Sequence, residues 1–227
     1  MKNKSYKRQI EEYLEEYGSI PDNPEEILIY LQKELNLTEK DFEKINKMEE
    51  YVNSIPWNTL KIILPIIPRG CPRPKQGRNG IFYVTGAKEN KKLCKYYIEE
   101  KYNIIYTQTY FSVSTYIPTP LKSMNRHEIY RAETKSLVPM SYPDWDNLGK
   151  TYSDMIQDIL ILNDNIISKG LVEKYYSVKP RVEIEIRYQE GFDSRFNKRR
   201  IQSSKAYKDA VEAGHVIEIF KGKDDLW

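Results

Sequence analysis

The sequence predicts an α+β protein: a mixed sheet with flanking helices, preceded by a small helical N-terminal extension. Three observations carry that prediction. Between residues 57 and 190 the patterns run strand, helix, strand, helix, strand, strand, an order that builds one mixed sheet with helices packed on it. The first 56 residues instead repeat apolar side chains at helical spacing. At 227 residues, 40% apolar and 30% charged, the chain is long enough for one substantial domain with appendages. Its composition excludes a fibrous or fully disordered protein. Three segments follow: an acidic helical extension (1–56), an α+β domain (57–190) and a basic C-terminal tail with a short helix (191–227). No internal repeat interrupts them.

In the extension, Ile10, Tyr13, Leu14 and Tyr17 fall at i, i+3, i+4 and i+7, one face of a helix that Gly18 and Pro21 stop. Asn23 is placed to cap a second helix, with Pro24 at its first position and Glu25 and Glu26 in its first turn. Thr38 and Asp41 resemble a capping box for a third helix carrying Phe42, Ile45, Met48 and Val52. After Pro56, the run Leu60, Ile62, Ile63, Leu64, Ile66 and Ile67 suits a buried strand. A loop of Gly, Pro and basic residues (69–80) leads to a short strand at Ile81–Thr85 and a helix from Lys88 to Lys101. Ile104 to Ile117 alternates for part of its length, as a strand does. A short helix is expected around Asn125–Thr134 and a longer one from Asn147 to Leu162. Two strands, Ile166–Val178 and Arg181–Tyr188, close the domain. Tyr96, Tyr97 and Tyr110 read as core or interface residues.

Charge is distributed unevenly. The net value is only +3, yet residues 1–56 hold 8 basic and 13 acidic side chains, a net of −5. Residues 57–190 hold 20 and 14, a net of +6, so an anionic partner is expected at the middle of the chain. An acidic helical extension is a poor surface for DNA. It reads as a packing or dimerisation appendage, or as the site of a protein partner. Cys71 and Cys94 with His127 and His215 make a poor structural zinc set and no disulfide framework, so a reducing cytoplasm is the expected location. The N-terminus has no apolar run of a secretory leader. The longest apolar run, Ile62 to Ile67, is far short of the ~20 residues that cross a bilayer, so no membrane partner is expected.

The segment richest in chemistry is Pro143-Asp144-Trp145-Asp146-Asn147-Leu148-Gly149-Lys150, followed by Asp154 and Asn163-Asp164. Asp144 and Asp146 approach a helix two residues apart, with Asp146 at the expected N-cap. Two carboxylates so close repel unless a cation lies between them, and a hard divalent ion with oxygen ligands, Mg²⁺ or Mn²⁺, answers that. Along the helix Leu148, Tyr152, Met155, Ile159 and Leu162 form the apolar face, with Asp146, Lys150 and Asp154 opposite. Alone, that polar row is a solvated face with i, i+4 ion pairs. The D-x-D before it and Asp164 beyond its end point instead to a metal site. A metal held by carboxylates supplies what phosphodiester hydrolysis needs, an activated water and stabilised phosphoryl charge, and Lys150 can stabilise the leaving oxygen. No Ser-His-Asp or Cys-His system and no phosphate-binding loop is present.

At these residues the sequence resembles the RusA-like Holliday junction resolvases. The shared pattern is D-x-D-N-L-x-K, an aspartate four residues after the lysine, and an acidic pair before the next strand. The likeness reaches back to Pro72-Arg73-Pro74-Lys75 and covers about residues 57–190, making that segment the catalytic domain. The resemblance implies that Asp144, Asp146 and Asp164 bind the metal and that Lys150 is essential. Asp154 is then a supporting residue, and Asn147 orders the turn. One position departs: Asn163 stands where the family has the first acid of its pair, which bears on metal preference. The resemblance further implies a homodimer, since paired nicks need two sites related by a two-fold. It implies four-way junctions as substrate and a role in recombination and repair, in a phage or prophage setting. Two other readings stand beside it: a flap or fork nuclease, and a non-catalytic branched-DNA-binding protein that keeps the fold.

For DNA contact the loop is the candidate. Residues 69–95 hold eight basic side chains against the single acid Glu89. Arg69, Arg73, Lys75 and Arg78 lie among prolines and glycines that let a loop follow a phosphate backbone. Arg195, Lys198, Arg199 and Arg200 make a second basic patch.

Overall fold

The structure, a computed structural model, describes residues 6–70, 75–77, 80–82, 86–98 and 103–215. It divides at Asn53/Ser54 into two compact units. The first contains α1 (Tyr6–Tyr17), α2 (Pro24–Glu34) and all but the last residue of α3 (Glu39–Ser54). Asn23 caps α2 as its sequence position requires, its side-chain oxygen accepting the Glu25 N–H at 2.9 Å. At α3 the box differs in form: the N–H and the hydroxyl of Thr38 both donate to the Asp41 carboxylate, at 2.8 and 2.7 Å. No residue of α2 or α3 is buried, and the α1 stripe of Ile10, Tyr13, Leu14 and Tyr17 is exposed.

The second unit is an α+β structure on a four-stranded mixed sheet. Its strands are β1 (Trp57–Leu64), β4 (Thr109–Pro118), β5 (Ile167–Ser177) and β6 (Arg181–Gln189), in the order β1-β6-β4-β5. A separate hairpin pairs β2 (Lys75–Gly77) with β3 (Gly80–Phe82). The sequence predicts one short strand at 81–85; the hairpin forms instead, and residues 83–85 lie outside the described residues. The helices of this unit are α4 (Gly86–Tyr97), α5 (Arg126–Glu133), α6 (Trp145–Ile156) and the consecutive pair α7 (Arg195–Ser203) and α8 (Lys205–Glu212). Among the strands of the described residues, β4 and β5 alone pair in parallel, as their connection through α5 and α6 permits. Register aligns Ile62, Ile184, Val113 and Val172 in one row across all four strands.

Alternation places Val182, Ile184 and Ile186 of β6 and Phe111 and Val113 of β4 on the helix-covered face. Leu148, Tyr152, Met155 and Ile156 of α6 complete that core, with Cys94 and Ile98 from the α4 region. Burial pushes the Cys94 thiol up to about 11, so it is an inert packing group. Gly149 lets α6 lie close on β5, because a Cβ there would meet the Val172 Cγ2 at 2.9 Å. Tyr96 and Tyr97, expected in a core or interface, are exposed on α4, whereas Tyr110 stacks on Trp57 with ring centroids 4.5 Å apart.

Three further elements depart from the sequence reading. Helix α6 stops at Ile156, not Leu162, because Asp158 turns the chain at φ 62° and residues 160 and 162 bond Ile105. The strand expected from Ile104 starts at Thr109, since residues 104 and 105 pair with His215 and with that turn instead. The C-terminal segment forms two helices where the sequence predicts one. Tyr207 and Ala210 of α8 are buried with Ile104, Tyr106 and Leu162 in a second apolar cluster.

On the other face of the sheet, the Tyr175 and Ser114 hydroxyls donate to the Glu173 carboxylate at 2.6 and 2.8 Å. Those bonds hold the Glu173 carboxyl below its ordinary range, and the Glu173 partner pushes the Tyr175 phenol up to about 12. A depressed carboxyl stabilises the fold above its unfolded-state pKa, and that contribution is lost as pH falls through the folded value. Tyr175→Phe is therefore expected to raise the Glu173 pKa. Carbon-13 NMR titration of the glutamate carboxyls checks this, and an unmoved Glu173 titration refutes it.

Candidate active site

The entry to α6 is held by β5, an edge strand of the sheet. Lys174 Nζ donates to the carbonyls of Ser141 (2.8 Å) and Pro143 (3.0 Å), on either side of the cis Tyr142–Pro143 bond. The Trp145 indole N–H donates to the Val172 carbonyl at 2.8 Å, using an acceptor on the edge strand. Asp144, not Asp146, is the N-cap residue of α6, and its side chain makes no cap hydrogen bond. Asp146 lies in the first turn, where the helix dipole favours its charge. Both aspartates are exposed, so their carboxylates reach solvent at the positive end of the helix.

The basic loop is tied to this same helix. The Arg69 backbone N–H donates to the Tyr152 hydroxyl at 3.2 Å, and burial pushes that phenol up to about 12. One residue on, Gly70 is buried against the Asn147 amide, and a Cβ at Gly70 would collide with Asn147 Nδ2. Asn147 therefore sits against the first residues of the basic loop. Gly70→Ala is expected to push the Asn147 side chain aside and to destabilise the domain by about 1–3 kcal/mol, as overpacking does. Thermal melting tests this, and a variant melting like the parent would show that the contact is slack. Arg69 is exposed beside α6, and Lys75 lies in β2; Arg73 and Arg78 lie outside the described residues.

Farther along α6, Lys150 is exposed one turn beyond Asp146. Asp154 follows one turn later. Partial burial raises its pKa, the Lys150 ammonium opposes that rise, and the Asp164 carboxylate adds to it. Lys91 of α4 bonds Asp158 at 3.1 Å across an exposed ion pair. Asp164 opens a single 3-10 turn, Asp164–Ile166, which Asn163 caps by accepting the Asn165 N–H at 3.0 Å. Asn caps as well as Asp, so the residue that departs from the resolvase pattern keeps the turn that presents Asp164.

Asp154 and Asp164 lie close enough to couple electrostatically, Asp144 and Asp146 stand at the start of α6, and Lys150 comes between them in sequence. Eight residues separate Asp146 from Asp154, or about 12 Å of helix rise. Among the described residues no three acidic, histidine or cysteine side chains converge tightly enough to hold an ion. The donor chemistry nevertheless suits one: every candidate is a hard oxygen. Mg²⁺ in phosphate-processing sites commonly takes one or two carboxylates, with water and substrate phosphate filling the rest.

The family model of endodeoxyribonuclease RusA matches residues 65–187, more than half of the chain, from the end of β1 into β6. The chain belongs to the RusA endodeoxyribonuclease family. RusA proteins are Holliday junction resolvases, nucleases that act on branched DNA and in general need a divalent metal. An uncharacterized protein, YqaN of Bacillus subtilis (strain 168), is 28% identical to this chain over 127 residues, covering 53% of this chain and 89% of its own. The RusA match includes the whole segment 144–164 and excludes α1–α3, α7 and α8. No helix among the described residues is long and apolar enough to cross a membrane.

Sequence reasoning missed the residues that position the site. Lys174 and Trp145 act through backbone carbonyls, and Gly70 acts by having no side chain. Trp145 lies inside the D-x-D segment and Gly70 between the strand and the prolines of the basic loop, but nothing in the sequence marks Lys174.

Proposed function

We propose that this chain is a Mg²⁺-dependent endodeoxyribonuclease that resolves four-way DNA junctions as a homodimer. The observation that carries the reading is the D-x-D-N-L-x-K segment of a RusA protein, with Asp144, Asp146 and Lys150 exposed at the start of α6 and Arg69 of the basic loop bonded to the same helix. Asp144, Asp146 and Asp164 are the carboxylates that would hold the ion. When bound, it lowers the pKa of a water and polarises the phosphoryl oxygen. Lys150, exposed one turn along α6, offers its ammonium to the charge that builds on phosphate or leaving oxygen. Asp154 supports Lys150 from the following turn. Asn147 holds the start of the loop, and Arg69, Arg73, Lys75 and Arg78 bind DNA phosphates. That binding weakens as salt rises.

A panel of synthetic four-way junction, flap and fork substrates tests the reading, each incubated with Mg²⁺ and with EDTA. Paired nicks in the junction, abolished by EDTA, are expected. Faster cutting of flaps or forks would reassign the substrate, and no cutting of any substrate over a range of Mg²⁺ and Mn²⁺ would overturn the proposal.

A further inference from the structure

We propose that a cavity between the Asp164 turn and α7 receives one unpaired nucleobase of the branched DNA, beside the phosphate to be cut. The inference rests on the nuclease reading above and adds a base-reading subsite to it. The cavity has a volume of about 610 Å³, within the size range of small-ligand sites. Tyr106 and Phe192 line it with rings whose centroids are 5.8 Å apart. Asn163 and Asn165, which flank Asp164, form one wall, and Asn197 and Arg200 of α7 belong to the other.

That lining has a chemistry of its own. Amide side chains supply donors and acceptors of the kind that base edges present, although Asn163 Oδ1 already accepts the Asn165 N–H and Asn197 Nδ2 already donates to Asp193. An aromatic wall offers a base stacking area without preference for sequence, and the exposed Arg200 guanidinium suits a phosphate at the rim. Asp193 also lines the cavity, its carboxylate held by Asn197 Nδ2 at 2.8 and 3.1 Å. An acidic wall disfavours a phosphate deep inside and accepts hydrogen bonds from exocyclic amino groups. The base therefore belongs inside and its phosphate at the rim, beside the exposed Arg200. Branch points supply bases that are cheap to unstack. The α7 wall lies beyond residue 187, where the RusA match ends, and the Asn163–Asn165 wall lies within it.

The test uses the full chain carrying Asp146→Asn, bound to four-way junctions with a single 2-aminopurine at each crossover position in turn. A several-fold rise in 2-aminopurine fluorescence on binding is expected at one position. In the same background, Asn165→Ala with Arg200→Ala should reduce that rise at least twofold, and Phe192→Ala should reduce it further. The first pair is exposed and keeps the test valid if Phe192→Ala fails to fold. A junction cut by the parent protein, with no fluorescence rise or one unmoved by these substitutions, overturns the subsite and leaves the nuclease reading standing. A junction that the parent protein neither binds nor cuts overturns both.

Discussion

Replacing Asp146 with asparagine is expected to leave a folded protein that binds a four-way junction and does not cut it. Asp146 is exposed in the first turn of α6, so the substitution removes no packing. It keeps side-chain shape, replaces one acceptor oxygen with an amide donor and deletes one negative charge. Binding by phosphate contact should persist or tighten slightly, because a charge that repels DNA is gone. Cleavage should fall by more than the roughly 10–100-fold typical of losing a residue that only supports a metal ligand. Gel-shift affinity and single-turnover nicking rates, measured on one preparation, check both halves. Retained cleavage would remove Asp146 from the metal set. Lost junction binding with an unchanged melting temperature would instead make it a DNA contact.

How much of this was legible in the sequence depends on which interactions set each element. Caps are local, and Asn23 and Asn125 start their helices where the sequence places them, the latter with a complete capping box to Glu128. Alternation is equally local, and β6 reads directly as Val182, Ile184, Ile186 facing the core. The end of α6 was not legible. Ile159, Leu160, Ile161 and Leu162 continue the apolar pattern with no Gly or Pro to break it. What breaks it is distant: the Ile105 N–H bonds the Leu160 carbonyl, and the Leu162 N–H bonds the Ile105 carbonyl, both at 2.8 Å. The C-terminal helices were hidden for another reason. Arg195, Lys198, Arg199 and Arg200 dominate the charge there, and the packing residues Ile201, Tyr207 and Ala210 are too widely spaced to announce a second cluster.

The site shows the same division. Asp144 and Asp146 stand out as candidates because D-x-D-N-L-x-K is a contiguous string. The contacts that aim them were not, because Lys174 is 33 residues from Ser141 and Tyr152 is 83 from Arg69. Position along α6 also qualified the sequence reading. A stripe at four-residue steps shares a face, but each step adds about 6 Å of rise. Sharing a face is therefore weaker than converging on one ion.

Leu148→Ala should produce the largest stability change and separate packing from chemistry. Leu148 is fully buried in the main core, between Asn147, which meets the basic loop, and Gly149, which meets β5. Truncating it opens a cavity under the first turns of α6, expected to cost about 2–5 kcal/mol. For a unit of this size that lowers the melting temperature by roughly 4–20 °C. Lys150, two residues away and exposed, gives the opposite profile. Lys150→Ala should change stability by less than about 0.5 kcal/mol and slow junction cleavage by roughly 10²–10³-fold, as for loss of one transition-state charge partner. Melting curves and nicking rates at a temperature where both variants are folded distinguish the two. If Leu148→Ala melts like the parent protein, α6 does not pack on the sheet as described. If Lys150→Ala cuts at the parent rate, its ammonium has no part in the reaction, and the polar row of α6 reduces to a solvated helix face.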